Sequence, residues 1–156
     1  MRTTNVLIDE NWRTKLSGFS HACDEMCEIK KEIFCTDEFM SPEIALSLPF
    51  DKSVDIHSLG IIIFEIITSK EPSSFCSVTL KEQSFLYKKE QIVYELNESK
   101  LQSIIPIGCP EEFEVIAFAC CEIESLRRPT VHTCIVELEA ILLSLQCTEG
   151  IYNIYN

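Results

Sequence analysis

The hydrophobic pattern is densest at Ser53 to Thr68, where SVDIHSLGIIIFEIIT carries Ile56, Leu59, Ile61, Ile62, Ile63, Phe64, Ile66 and Ile67 and leaves almost no polar face. A polar turn, Asp51-Lys52-Ser53, opens the stretch, and Ser69-Lys70-Glu71-Pro72 closes it. Isoleucine runs also suit buried strands, but strands seldom exceed about ten residues, so length predicts a helix. A helix apolar nearly all round belongs in the middle of a core. At ~1.5 Å per residue it is about 24 Å long, too short, and too interrupted by Asp55, His57 and Glu65, to span a bilayer. Asp55 falls in its first turn, where a carboxylate meets unpaired amides.

The other elements are shorter. Asn5 to Asp9 and Arg13 to Ser17 alternate around the turn Glu10-Asn11-Trp12 and predict a β-hairpin. His21 to Cys35 is polar and charge-mixed. Pro42 to Leu48 suits a short helix stopped before Pro49. Pro72 to Lys89 reads as a loop with at most a short helix. Glu90 to Leu101, with Ile92, Val93 and Leu96, fits an amphipathic helix. Glu111 to Cys121 is expected to be a helix with Phe113, Ile116, Ala117 and Cys120 on one face. Thr130 can cap a last helix, Val131 to Leu145, whose stripe is Ile135, Leu138, Ile141, Leu142 and Leu145; Gly150 to Asn156 reads as a loose tail.

Three words around the central helix are familiar. Phe39-Met40-Ser41-Pro42-Glu43, Val54-Asp55-Ile56-His57-Ser58-Leu59-Gly60 and Arg128-Pro129-Thr130 resemble, in order and spacing, the M-A-P-E, D-V-Y-S-F-G and R-P-T signposts of the protein kinase C-terminal lobe. Cys35-Thr36 before the first word, and Ile105-Pro106-Ile107-Gly108-Cys109-Pro110 further on, are similar to tyrosine-kinase-like and serine/threonine members. Cys120 to Thr130 resembles C-W-x-x-D-P-x-x-R-P-T, with departures at Cys121, Glu124 and Ser125.

The resemblance implies a mainly α fold: a helical C-terminal kinase-like lobe over residues 1–146, with a short N-terminal β-hairpin, no N-terminal lobe, and a tail at 147–156. It sets Met1 inside the family's catalytic loop, H-R-D-L-K-x-x-N, so that its His, Arg and Asp fall before Met1. Asn5 matches the loop's magnesium-binding Asn, and Arg2 stands where Lys is usual. Ser17-Gly18-Phe19-Ser20 stands where the family has D-F-G, so Gly18 replaces the magnesium-binding Asp. Glu43 and Arg128 match an ion pair between the activation segment and the last loop. Asp55 matches the Asp that binds the catalytic-loop backbone.

Composition narrows the function. A hydrophobic fraction of 46% argues against disorder. A net charge of -12 argues against nucleic-acid binding and against adsorption to anionic membranes. Nine cysteines without a secretory signal point to a reducing, cytoplasmic setting and free thiols. His21, Cys23, Cys27 and Cys35 match neither a Cys-x-x-Cys knuckle nor a known zinc finger.

Kinase catalysis is positioning and electrostatics around Mg-nucleotide. The four glycines, Gly18, Gly60, Gly108 and Gly150, form no G-x-G loop, and no phosphate-binding lysine strand is recognisable. No cofactor is therefore expected, although the family uses ATP and magnesium. No other catalytic motif is present, and His57 and His132 are expected to be packed or exposed rather than catalytic. The expectation is a catalytically inactive, pseudokinase-like fragment acting as a protein-interaction module, with a protein partner or self-association through an uncovered N-terminal face. The alternative is a truncated piece of a serine/threonine kinase that phosphorylates proteins using ATP.

Overall fold

The computed structural model describes residues 1–22, 38–46, 48–83 and 89–152. The fold is mainly helical, with two short antiparallel hairpins. At the N-terminus β1 (Val6–Ile8) pairs with β2 (Thr14–Leu16) in the register Val6–Leu16, Leu7–Lys15, Ile8–Thr14. Asp9 builds the turn between them. Its Oδ1 accepts from the backbone N–H groups of Asn11 and Arg13 at 2.9 and 3.0 Å, a local bond that competes with continued strand.

A four-residue helix, α1 (Pro42–Ala45), leads to α2 (Ser53–Thr68), whose bounds coincide with the apolar stretch. Both ends of α2 have local causes. Asp51 Oδ1 accepts from the Ser53 N–H at 2.9 Å, and Ser69 turns the chain into the left-handed region at φ 51°. Ile56, Ile61, Ile62, Ile63 and Phe64 are buried, and Ile66 is the exposed exception. Phe64 meets Phe118 edge-on at 4.8 Å between ring centroids and Phe75 at 6.0 Å, a favoured aromatic arrangement.

The segment after α2 corrects two expectations. Only Pro72–Ser74 is a 3-10 turn; β3 (Cys76–Gln83) follows and pairs with β4 (Lys89–Leu96). The amphipathic helix expected over Glu90 to Leu101 is therefore a strand followed by a helix, α3 (Glu98–Ile104). Ile92, Val93 and Leu96 satisfy helical spacing, but Ile92, Tyr94 and Leu96 also alternate, and cross-strand pairing decided the outcome. Asn97 marks the break: its Oδ1 accepts from the Lys100 N–H at 2.9 Å as the cap of α3.

The chain continues through α4 (Glu111–Cys120) and α5 (Val131–Tyr152). In α4, Ile116, Ala117 and Cys120 are buried and Phe113 packs on the core, as its spacing predicted. α4 lies close against α2 at Gly60. A Cβ there would sit 2.6 Å from Cys121 Sγ, 2.8 Å from Cys120 Cβ and 2.9 Å from the Ala117 carbonyl oxygen. Thr130 Oγ1 accepts from the Thr133 N–H at 3.1 Å and caps α5.

Over residues 131–146 the buried seam of α5 is Cys134 and Ile141, with Leu138 partly covered, while Ile135, Leu142 and Leu145 are exposed. The expected stripe is thus shifted, because α5 is apolar on several sides and spacing could not choose among them. α5 also runs through Gly150 to Tyr152, correcting the loose tail over that part; residues 153–156 lie outside the described residues. No helix among the described residues is long and apolar enough to cross a membrane.

Candidate functional site

The positions singled out in the sequence fall in two places. Asn5 and Gly18 meet at the base of the first hairpin. Glu43, Arg128 and His57 meet around the N-terminal end of α2, and Asp55 lies on that end's solvent side.

At the hairpin base, Asn5 ends a short 3-10 turn, Thr3–Asn5, and its carbonyl accepts from the Ser17 N–H at 2.9 Å and from Ser17 Oγ at 3.2 Å. This double bond to Ser17 brings Asn5 against the next residue, Gly18. Gly18 is left-handed, at φ 76°, a conformation glycine adopts without Cβ strain. The Asn5 side chain fills the space a side chain at position 18 would take: an added Cβ would lie 2.5 to 2.7 Å from its Nδ2, Cγ and Oδ1. One amide and one glycine therefore stand at this spot. Beside it Leu7, Ile8, Trp12, Leu16 and Phe19 are exposed, Trp12 at 86% and Phe19 at 67%.

The second cluster is an ion pair with a built shell. Arg128 Nη1 donates to Glu43 Oε1 at 2.5 Å and Nη2 to Oε2 at 2.8 Å, the fork-to-fork geometry of a strong guanidinium–carboxylate pair. Both residues are buried. The guanidinium also donates from Nε to the Glu122 carbonyl at 2.8 Å and from Nη1 to the Ser53 carbonyl at 3.2 Å. One side chain thus ties α1, the start of α2 and the loop after α4. Burial opposes the charge on Glu43, but the bond and charge of Arg128, with a backbone bond and Ser41, together hold its pKa below the ordinary 4.5. Beside them Ser58 Oγ donates to the Phe39 carbonyl at 2.9 Å, tying the residues before α1 to α2.

His57 sits under this cluster, fully buried. Burial, and then the Arg128 charge, push its pKa down to about 4, so it is neutral near pH 7. Its position on α2 inside an apolar run is the sequence signal that it packs. His132 is exposed. Asp55 is exposed too, with Oδ1 3.6 Å from the Met1 nitrogen, which itself donates to Ser58 Oγ at 3.3 Å. Among the described residues no group of three or more His, Cys, Asp or Glu is arranged to hold a metal ion. Cys23, Cys27, Cys35 and Thr36, and the side chain of His21, lie outside the described residues.

Comparison with known proteins matches this arrangement to a class. Residues 1–137 match the family model for the protein kinase domain, and the chain belongs to the protein kinase family. It is 31% identical over 132 residues to a probable serine/threonine-protein kinase, kinX, of Dictyostelium discoideum, covering 83% of this chain and 11% of that protein. It is 29% identical over 147 residues to another probable serine/threonine-protein kinase of that organism, covering 93% and 32%. A third, a RasGEF domain-containing serine/threonine-protein kinase X, is 30% identical over 132 residues, covering 83% and 13%. The chain thus spans a third or less of the length of these relatives.

Proposed function

We propose that this chain is a pseudokinase-like C-terminal lobe that performs no phosphoryl transfer and acts by binding another protein. The observation that carries this reading is the Asn5–Gly18 contact. A kinase site holds magnesium through an Asp carboxylate and an Asn amide, and magnesium favours carboxylate and phosphate oxygens. Gly18 has no donor atoms, and the Asn5 side chain occupies the space its replacement would need. The residues present do not fit Mg-ATP.

The binding surface in this reading is the hairpin. Leu7, Ile8, Trp12, Leu16 and Phe19 are each exposed on the hairpin and its flank, Ile8 and Leu16 on one face and Leu7 on the other. Exposed apolar patches of this kind mark interaction sites or aggregation liabilities. A cytoplasmic setting agrees with the buried thiols of Cys120, Cys121 and Cys134.

Titration of the purified protein with a fluorescent ATP analogue, with and without magnesium, tests the inactive reading: no magnesium-dependent binding is expected, and micromolar magnesium-dependent binding would refute it. Sedimentation with ANS fluorescence tests the surface. Self-association or ANS binding is expected, and a monomer that binds no ANS removes its physical motive.

A second reading, part of a longer serine/threonine kinase that phosphorylates proteins using ATP, is favoured by the small share of its relatives' length that the chain spans. An in-frame H-R-D and glycine loop in the coding sequence upstream of Met1 supports it; an in-frame stop removes it.

A further inference from the structure

The core holds a pair of thiols that neither the ion pair nor the hairpin uses. Cys120 closes α4 and Cys134 lies in the first turn of α5. Their sulfurs are 3.8 Å apart, both side chains are buried, and both are unbridged. A disulfide requires ~2.0 Å, so the two sulfurs must draw closer by ~1.8 Å to bond. The neighbouring thiol does not compete, because Cys121 Sγ is directed to the His57 carbonyl oxygen at 3.9 Å.

The attachment of α5 decides when the pair can react. Over residues 131–146, Cys134 and Ile141 are its buried apolar residues and Leu138 is partly covered, whereas Val131, Ile135, Val136, Leu142 and Leu143 face solvent. An element held by so few buried contacts opens well below the global unfolding free energy.

We propose that Cys120 and Cys134 form a reversible thiol–disulfide switch that locks α5 onto α4 when a low-molecular-mass disulfide meets the opened helix. Opening of α5 exposes Cys134. Its thiol loses a proton to solvent, and the thiolate attacks one sulfur of the small disulfide, forming a mixed disulfide and releasing one small thiolate. As α5 closes, Cys120 loses its proton and attacks the Cys134 sulfur, releasing the second small thiolate. Two protein thiols are oxidised and one small disulfide is reduced to two thiols. Burial, and then the nearby Cys134, raise the Cys120 pKa in the closed form, so the closed protein is protected and opening gates the reaction.

The test uses the purified chain equilibrated with oxidised glutathione, or with reduced glutathione as control, then alkylated in denaturant, digested and analysed by tandem mass spectrometry. The expected result is a linked species two hydrogens lighter than the sum of its peptides, with fragments assigning the bond to Cys120 and Cys134. Amide exchange in α5 should slow by about tenfold or more against the reduced protein, because a short closed loop restricts the open state. Reduced glutathione should reverse both changes. Cys121→Ser should keep the link, and Cys134→Ser should lose it. Full alkylation of both cysteines after oxidation, a bond assigned to Cys121, or unchanged exchange in α5 would each overturn the proposal; the first two readouts need no variant, so a misfolded one cannot mask the answer.

Discussion

The side chain of Asn5 lies where a side chain at Gly18 would go, 2.5 Å from an added Cβ at its nearest atom. Two costs therefore meet at position 18. An L-residue at φ 76° costs about 1–2 kcal/mol in backbone strain, and Asn5 must rotate away. Gly18→Ala should destabilise the protein by about 1–3 kcal/mol in urea denaturation. Adding Asn5→Ala should recover the collision and leave the backbone cost, so the two changes should couple. Strict additivity would show that Asn5 does not hold this position. Gly18→Asp is expected to restore no magnesium-dependent nucleotide binding.

Arg128 and Glu43 form a buried, doubly bonded pair, with further bonds from the guanidinium to backbone carbonyls. Glu43→Gln or Arg128→Met would leave the other charge buried without its counter-charge. Each should cost roughly 3–5 kcal/mol, a large share of the ~5–15 kcal/mol that holds a typical domain. Chemical denaturation of both single variants and the double variant checks this. The double variant should lose less than the two singles together, and a cost near that of an exposed pair would refute the burial argument.

The fold was legible where its causes are local. The bounds of α2 follow from Asp51, Ser69 and an unbroken apolar run between them. The first hairpin follows from alternation around the turn Glu10-Asn11-Trp12, which the Asp9 side chain closes. β3 and β4 were not legible, because Ile92, Val93 and Leu96 fit helix and strand spacing alike, and the deciding partner lies on another segment. The seam of α5 was hidden for a related reason: with apolar residues on several sides, only packing selects Cys134 over Ile135. Glu43 and Arg128 are 85 residues apart, and nothing in either local sequence joins them; the family motifs brought them together on the page. The Asn5–Gly18 contact was legible only through the family motifs, which set both at magnesium-binding positions; the register that puts Ser17 on the Asn5 carbonyl brings them into contact.

Gly60 sets how closely α2 approaches α4. Helix propensity alone favours alanine over glycine by about 1 kcal/mol. Here the added methyl would meet Cys120 Cβ at 2.8 Å and the Ala117 carbonyl at 2.9 Å, atoms that cannot swing aside as a long side chain would. Overpacking of that kind costs about 1–3 kcal/mol and the helices must move apart. Gly60→Ala should therefore lower the denaturation midpoint, and Gly60→Val should lower it more. An unchanged or raised midpoint would mean that propensity wins and the contact is soft.

His57 makes stability depend on pH in a window that begins well above the one set by Glu43. Its folded pKa is depressed to about 4 by burial and then by Arg128, against 6.5 in its ordinary setting. The unfolded chain therefore takes up a proton on His57 at higher pH than the folded chain does. The sign follows: the full contribution is present above pH 6.5, and it is lost as pH falls from 6.5 toward 4. The loss over the window is about 3 kcal/mol, at ~1.4 kcal/mol per pKa unit. Glu43, whose pKa is lowered below 4.5, adds a second loss that sets in below pH 4.5, as the unfolded carboxylate takes up a proton first. Urea denaturation at intervals from pH 7.5 to 4 should show stability falling through the first window. His57→Gln should start less stable, because it alters a filled core position, but its curve should be flat between pH 6.5 and 4.5. An equal slope in that variant would assign the proton uptake to another group and remove His57 as its source.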